Sequence, residues 1–335
     1  MRNRIADSGW TSSSRLWNRQ VPHLPRAERG TAERGAVAAP VRAERNPANR
    51  APTPPEQSGM TGPIMHHEYS ITCPSFLCAP DDKVGLDGIA GLFQEAAWQH
   101  ARRLGVAFTE ADSQVFWALH RLGVRVHRRP LWGEPITITT WPSRIQRLYA
   151  MREYEIRGAA GSEAEGSLLV EGSSAWIVLR ARDSRPVPPA RHFPEGDLGG
   201  KYSIEMPLGK LPSIPGDTAA TQLEQARWHR VRPSDTDRNA HVNNTRYAQW
   251  FLDEAPQLLD PLMTGHTGNA PTEGEGDSIL ALSFTAETRI GQEYALVTET
   301  VAESSEGIAE IHVRDPGQSV HEARCACRLQ RIRCV

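Results

Sequence analysis

The sequence predicts an α+β protein in which one unit, a helix followed by a run of long antiparallel strands, occurs twice. Three observations carry this. A helix-spaced segment opens each half. Four strand-like runs follow each helix. Even the turns correspond, with "RRPLWGEPI" in the first half and "TRIGQEYAL" in the second. The natural packing lays each helix across one face of a curled sheet, and the two sheets can pair edge to edge, covering strands otherwise exposed.

Residues 1–64 stand apart. "RAERGTAERGAVAAPVRAERNPANRAPTPPEQSG" is rich in Arg, Ala and Pro and poor in large apolar residues. Such a segment buries too little surface to offset its ordering entropy, so disorder is expected. Its arginines and early serines are those of an organelle transit peptide, but its glutamates and prolines are not. It has no apolar core of a secretory signal. Translation starting at Met60 or Met65 is the preferred reading.

The first folded unit spans 65–190. In "GIAGLFQEAAWQHARRLGV", Leu92, Ala96, Ala97, Ala101 and Leu104 fall at helical spacing. The strands are "VFWALHRLGVRVH", "PITITTWPSRI", "YAMREYEIRG" and "SLLVEGSSAWIVLRAR", parted by turn signals such as "PLWGE" and "GAAGSEAEG". A Pro/Gly-rich connector follows and is read as a linker over 191–225. The second unit spans 226–335. Its helix runs from about Val242 to Glu254, and its strands are "SILALSFTAETRI", "YALVTETVAE", "IAEIHVRD" and "SVHEARCACRLQRI".

Composition excludes several function classes. The net charge of -2 over 335 residues points to neither nucleic acid nor an anionic membrane surface. No apolar run reaches the ~18 residues that a spanning helix needs. Five cysteines, an odd count, argue against a disulfide framework and for a reducing compartment, so a cytoplasmic protein is expected. Cys325-Ala-Cys327 has the spacing of half a metal site. Strand alternation would put both thiols on one face with no second Cys/His pair nearby, so no zinc and no other cofactor is expected.

The chemistry concentrates in "SDTDRNAHVNNTRYAQWFLDE". Its first eleven residues hold two aspartates, three asparagines and a histidine, at the mouth of the second helix. One residue is enough to cap a helix; a cluster suggests a site. "DTDRNAHVNNTRYAQWFLD" closely resembles the signature of the acyl-[acyl carrier protein] thioesterases, built as two hotdog domains in one chain. "PLWGEPITITTW" and "EGSSAWIVL" also look like landmarks of that family, and the resemblance runs from about His67 to Ile332.

The resemblance implies the tandem hotdog fold and a site at the N-terminus of the second helix, where the dipole favours a developing oxyanion. It makes Asp237, Asn239 and His241 site residues. Taken alone, Asp237 would be read as a helix cap and His241 as a structural histidine. Asn243 and Asn244 are read as structural. The family places a Glu followed by a Cys on the first long strand after this helix. Here Glu287 is followed by Thr288, so a cysteine nucleophile is absent and a carboxylate mechanism is implied, with Glu287 as base or nucleophile. The alternation Leu280, Leu282, Phe284, Ala286 puts Glu287 on the opposite, polar face. "GLDGIAGLFQ" holds the equivalent place in the first half without the His and Asn pair, so one site per chain is expected. The first half would shape an acyl pocket with Leu92, Phe93, Ala96, Ala97, Phe116, Trp117 and Leu119 as candidate walls.

The implied reaction is hydrolysis of a fatty acyl thioester, with an acyl carrier protein or CoA as the thiol and without nucleic acid, membrane span or cofactor. A homodimer is an open expectation. The alternatives are an acyl-CoA thioesterase on the same fold and a non-catalytic acyl-binding hotdog protein.

Overall fold

The structure is a computed structural model and describes residues 66–108, 113–192, 198, 201–259, 278–300 and 307–333. The segment expected to be disordered lies outside the described residues. The chain forms β1 (His67–Thr72), α1 (Leu86–Arg103), β2 (Val115–Val126), β3 (Pro135–Gln146), β4 (Tyr149–Gly158), β5 (Leu168–Arg180) and β6 (Pro186–Val187). It continues with α2 (Gly216–Gln225), β7 (His229–Arg230), α3 (Asn244–Glu254), β8 (Ser278–Phe284), β9 (Glu293–Thr300), β10 (Gly307–Arg314) and β11 (Arg324–Arg333).

The strands form one antiparallel sheet in the order β1-β3-β4-β5-β2-β8-β11-β10-β9-β7, with β6 on β5. The order reads the same from either end once β1 is matched with β7, β2 with β8 and so on to β5 with β11. The expected edge-to-edge pairing is the β2–β8 contact, where Leu122 faces Leu282 and Gly123 faces Ala281. α1 and α3 lie side by side on the inner face. Gly91 sits against Thr245 and Gly85 against Leu252, so the two helices run antiparallel.

The inner core follows from α1's apolar stripe. Ile89, Phe93 and Ala96 recur at helical spacing and pack with Leu122, Val124, Leu280 and Leu282 of the central strands and Phe251 of α3. Burying one Phe or Leu of this set stabilises the fold by roughly 1.5–3 kcal/mol. α1 stops where Gly105 takes φ +70°, a conformation that glycine adopts without a Cβ penalty. His100, Arg102 and Arg103 in its last turn complement the dipole.

The connector read as a linker over 191–225 carries a helix of its own. From Asp217 to Gln225 it has neither Pro nor Gly, and α2 forms with Ala219 and Leu223 one turn apart, packed on Ala295 and Val297. Upstream, Trp141 Nε1 donates to Lys201 O at 3.0 Å and Ile204, Met206, Leu211 and Ile214 are buried. The connector therefore straps the sheet's outer face.

The two thiols do not share a face as strand alternation would have it, because β10 and β11 meet at a bulge. Ile311 faces Cys327 but His312 faces Cys325, leaving Ala326 as the extra residue. Residues facing each other across a ladder share a face. Cys327 joins the inner core with Ile311, while Cys325 lies on the outer face with His312.

Candidate active site

The site begins with a tight loop ahead of α3. The Asp237 N–H donates to His241 O at 2.9 Å, and the Ala240 N–H returns to Asp237 O at 3.0 Å. Asp237 Oδ1 accepts the Asn239 N–H at 2.8 Å. Ala240 is held at φ +59° inside this loop, a conformation uncommon for a residue with a Cβ. Asp237 therefore closes the loop and is not the helix cap. The cap is Asn243, whose Oδ1 accepts the Thr245 N–H at 3.0 Å and the Thr245 hydroxyl at 3.1 Å.

Backbone pairing then brings a distant segment alongside. The Val242 N–H donates to Thr288 O at 2.8 Å, and His241 bridges Arg289 in antiparallel fashion. This pairing places Glu287 beside His241, with Glu287 Oε2 3.3 Å from His241 Nε2. The same oxygen accepts from Arg289 Nη2 at 3.2 Å, and the Glu287 carbonyl accepts from Arg324 Nη2 at 3.0 Å. β8 ends at Phe284, so Glu287 is not on the polar face of a strand as the alternation implied. It stands past the strand end, where the chain turns to pair with 241–242. Its side chain is 45% exposed and that of His241 is 16% exposed. Thr288 is fully buried beside Tyr247. Burial pushes the Tyr247 phenol far above its usual range, which keeps it neutral.

Asp237, Asn239, His241 and Glu287 all line one end of a cavity of about 650 Å³, with Asn244 at the first position of α3. The positive end of α3's dipole thus meets the cavity. A carboxylate touching an imidazole can fix its tautomer or exchange a proton with it. The body of the cavity runs into the first half, between the C-terminal part of α1 and the sheet. Of the expected walls, Ala97, Phe116, Trp117 and Leu119 line it. Leu92, Phe93 and Ala96 pack in the core instead. Trp98, Ala150 and Trp176 were missed. Trp98 and Ala101 were legible as neighbours of Ala97 on one helical face, and Trp176 lies within "EGSSAWIVL". Arg238 reaches back from the loop to Trp98, its guanidinium carbon 5.9 Å from the ring centre, and ties the site to α1.

The first half's helix start differs. α1 is capped by Gly85 without a side-chain bond, and Leu86, Gly88 and Ile89 are buried there.

Comparison with known proteins gives a consistent family. A model of the acyl-ACP thioesterase N-terminal domain matches residues 68–190, and one of the acyl-ACP thioesterase C-terminal domain matches 218–328. The chloroplastic dodecanoyl-[acyl-carrier-protein] hydrolase of Cinnamomum camphora is 23% identical over 229 residues, covering 62% of this chain and 56% of that protein. The chain spans about half the length of the curated relatives it matches. Among solved structures, the 12:0-ACP thioesterase from Umbellularia californica superposes with a TM-score of 0.59 at 17% identity, covering 82% of this chain and 98% of that one. An acyl-ACP thioesterase from Bacteroides thetaiotaomicron gives 0.56 at 18%, covering 80% and 97%. These likenesses show the tandem hotdog fold.

Proposed function

Because the chain belongs to the acyl-ACP thioesterase family, we propose that it is a thiolester hydrolase that cleaves fatty acyl-[acyl carrier protein] to free fatty acid and carrier thiol, in fatty acid biosynthesis. The observation that carries this reading is the His241–Glu287 pair at the polar end of a long, largely apolar cavity. A volume of about 650 Å³ lies in the range of cavities that enclose a small organic ligand.

In this reading the acyl chain lies between α1 and the sheet, and its thioester carbonyl sits at the start of α3. The helix dipole stabilises the oxyanion as charge develops. Glu287 takes a proton from water as general base, or attacks the carbonyl carbon itself. As the C–S bond breaks, His241 delivers its proton to the departing thiolate and regains one from Glu287, or, on the covalent route, from the water that then hydrolyses the acyl–Glu287 anhydride. Asn239 presents its amide to the reacting groups. Asp237 holds the loop that carries Asn239 and His241.

The carrier reading rests on charge. Arg289 and Arg324 bond Glu287 from segments far apart in sequence, Arg238 lines the cavity that Glu287 lines, and all three are exposed. An acidic carrier protein would meet them there. Charge reversal at Arg289 and Arg324 should raise KM for acyl-carrier substrates more than for acyl-CoA. Equal effects favour the acyl-CoA alternative. Both halves of the cavity come from one chain, so a homodimer has no part in this reading. Cytoplasmic placement is part of the proposal, supported by the unpaired state of the four described cysteines.

The test is turnover by the purified protein, offered acyl-carrier and acyl-CoA thioesters of several chain lengths. Release of free thiol that disappears in Glu287→Gln supports the reading. Tight acyl binding without turnover would instead make this a non-catalytic acyl-binding protein.

A further inference from the structure

A second group of chemically versatile side chains lies on the outer face of the second half's sheet. Glu310 and His312 are two residues apart on β10 and so share a face. Their neighbours Ala309, Ile311 and Val313 point into the inner core. The β11 bulge brings Cys325 opposite His312 on that outer face. One ligating atom from each of Glu310, His312 and Cys325 lies within 4.8 Å of the other two. Glu310 and His312 are 2% and 9% exposed.

The hydrogen bonds leave this group incomplete. Glu310 Oε1 accepts from Arg328 Nε at 2.6 Å and from the Ile214 N–H of the connector at 3.2 Å. Glu310 Oε2 meets His312 Nε2 at 2.8 Å. That contact uses Nε2 and leaves Nδ1 on the other side of the ring. Nδ1 is buried and has no hydrogen-bond partner among the described residues. Buried polar atoms are rarely left so, and each one needs an explanation. The Cys325 thiol makes a long contact, 3.6 Å to the Cys327 carbonyl, and meets the Thr285 hydroxyl.

We propose that Glu310, His312 and Cys325 bind one thiophilic transition-metal ion of the zinc class. A thiolate sulfur, an imidazole nitrogen and a carboxylate oxygen together form a donor set that suits Zn²⁺ and not Mg²⁺ or Ca²⁺. On binding, the Cys325 S–H gives its proton to solvent as the metal–sulfur bond forms, and the metal takes the place of the proton between His312 Nε2 and Glu310 Oε2, the neutral imidazole keeping its one proton on Nδ1. The dication is then offset by the thiolate and the Glu310 carboxylate, while Arg328 keeps its bond to the carboxylate's other oxygen. Three protein ligands leave a fourth position for water. The site is also joined to the reaction centre. The Cys325 carbonyl accepts from Thr285 Oγ1 at 2.7 Å, and Thr285 is two residues from Glu287. The proposal stands independently of the hydrolase reading, because its readout is the metal itself.

The experiment is a titration of the reduced, metal-free full chain with Co²⁺ as a spectroscopic stand-in for Zn²⁺. The expected result is a thiolate-to-cobalt charge-transfer band with tetrahedral visible bands, saturating at one equivalent and displaced by Zn²⁺. Cys325→Ser should abolish the charge-transfer band, and His312→Ala should weaken binding at least ~10-fold. Cys78→Ser, remote from the group, should change neither. Absence of the band, or a band that survives in Cys325→Ser, overturns the proposal. If Cys325→Ser fails to fold, alkylation of Cys325 in the wild-type chain decides, read by peptide mass. Zn²⁺ should slow that alkylation strongly, and an unchanged rate would overturn the site.

Discussion

His241 Nε2 and Glu287 Oε2 face each other at 3.3 Å, although 46 residues separate them in the chain. The segments meet at the antiparallel His241–Arg289 bridge, which the Val242 N–H closes onto the Thr288 carbonyl. A group that acts as base or nucleophile must be an ionised carboxylate, so Glu287→Gln should lower kcat by about 10²–10⁴-fold while nearly preserving volume. His241→Ala should fall in the same range. Circular dichroism and melting temperature must stay near wild type in both, since these side chains are partly exposed.

Thr288→Ala makes the opposite prediction. Thr288 is buried beside Tyr247 and its hydroxyl bonds no base among the described residues, so its loss should lower stability by about 1 kcal/mol and leave kcat within a few-fold of wild type. A dead but stable Thr288→Ala enzyme, with Glu287→Gln active, would make the threonine the family cysteine's substitute.

Asp237 and Asn239 should separate in kinetics. Asp237→Ala removes the acceptor that closes the loop at 2.8 Å and should loosen the whole 237–241 segment, raising KM as well as lowering kcat. Asn239 keeps its backbone bond whatever its side chain, so Asn239→Ala should lower kcat with KM little changed. Steady-state kinetics on one acyl-carrier substrate compare the two.

Filling the cavity should change chain-length preference. Ala150 is buried in the cavity wall between α1 and the sheet. Ala150→Phe should lower kcat/KM for the longest accepted chains by about 10–200-fold, in line with ~1–3 kcal/mol per mismatched methylene, and spare short ones. A uniform loss across all lengths would show that the acyl chain does not pass Ala150.

Stability should depend on Glu134, the glutamate of "PLWGE". Burial alone would raise its carboxyl, but hydrogen bonds from Arg128, the Ser162 hydroxyl and the Leu131 N–H outweigh it and hold it below the ordinary value of 4.5. The folded value is depressed, so the contribution is fully present above the unfolded value. It is lost as pH falls through the folded one. Urea unfolding from about pH 6 to about pH 3 should show a steeper acid loss in the wild type than in Glu134→Gln. Parallel curves would show that the carboxylate is not held in this way.

A close approach offers a packing test. A Cβ on Gly172 of β5 would meet Phe93 Cε2 of α1 at 2.3 Å. Gly172→Ala should destabilise by about 1–3 kcal/mol through overpacking. Phe93→Leu in the same chain should recover part of that loss, since the two sites share one contact.

The long elements were legible because their patterns are strong. α1 and β2 to β5 carry sustained periodicity, and their observed ends fall within two or three residues of those read from sequence. β1 and α2 went unread: "HEYSIT" is short, and α2 is hidden behind the Pro/Gly content of the stretch before it. β8 was read too long because "SFTAETRI" continues to alternate after the chain has left the sheet. The bulge that splits Cys325 from Cys327 has no sequence signal at all, since it arises from pairing with β10. The site divides in the same way. His241 and Asn239 came from a local motif beside a helix. Glu287 came only from the family resemblance, because nothing in spacing predicts that residue 287 returns to residue 241. The cavity wall was half legible, since helical spacing groups Ala97 with Ala101 but cannot say which apolar residues face empty space.

The twofold order of the sheet sets two equivalent helix starts at opposite ends of an antiparallel pair, and among the described residues the start of α3 opens onto the cavity. The other is packed shut: a Cβ on Gly88 would meet the Leu77 carbonyl oxygen at 2.8 Å. Substitution tolerance should therefore be lopsided across the pseudo-symmetry axis. In a saturation scan, changes over 85–89 should select against the folded population, and appear as lost soluble protein at normal specific activity. Changes over 237–244 should do the reverse, leaving abundance intact while activity per molecule falls. Joining two copies of one unit in a single chain thus lets selection treat the two ends separately, a freedom that a dimer of identical subunits lacks.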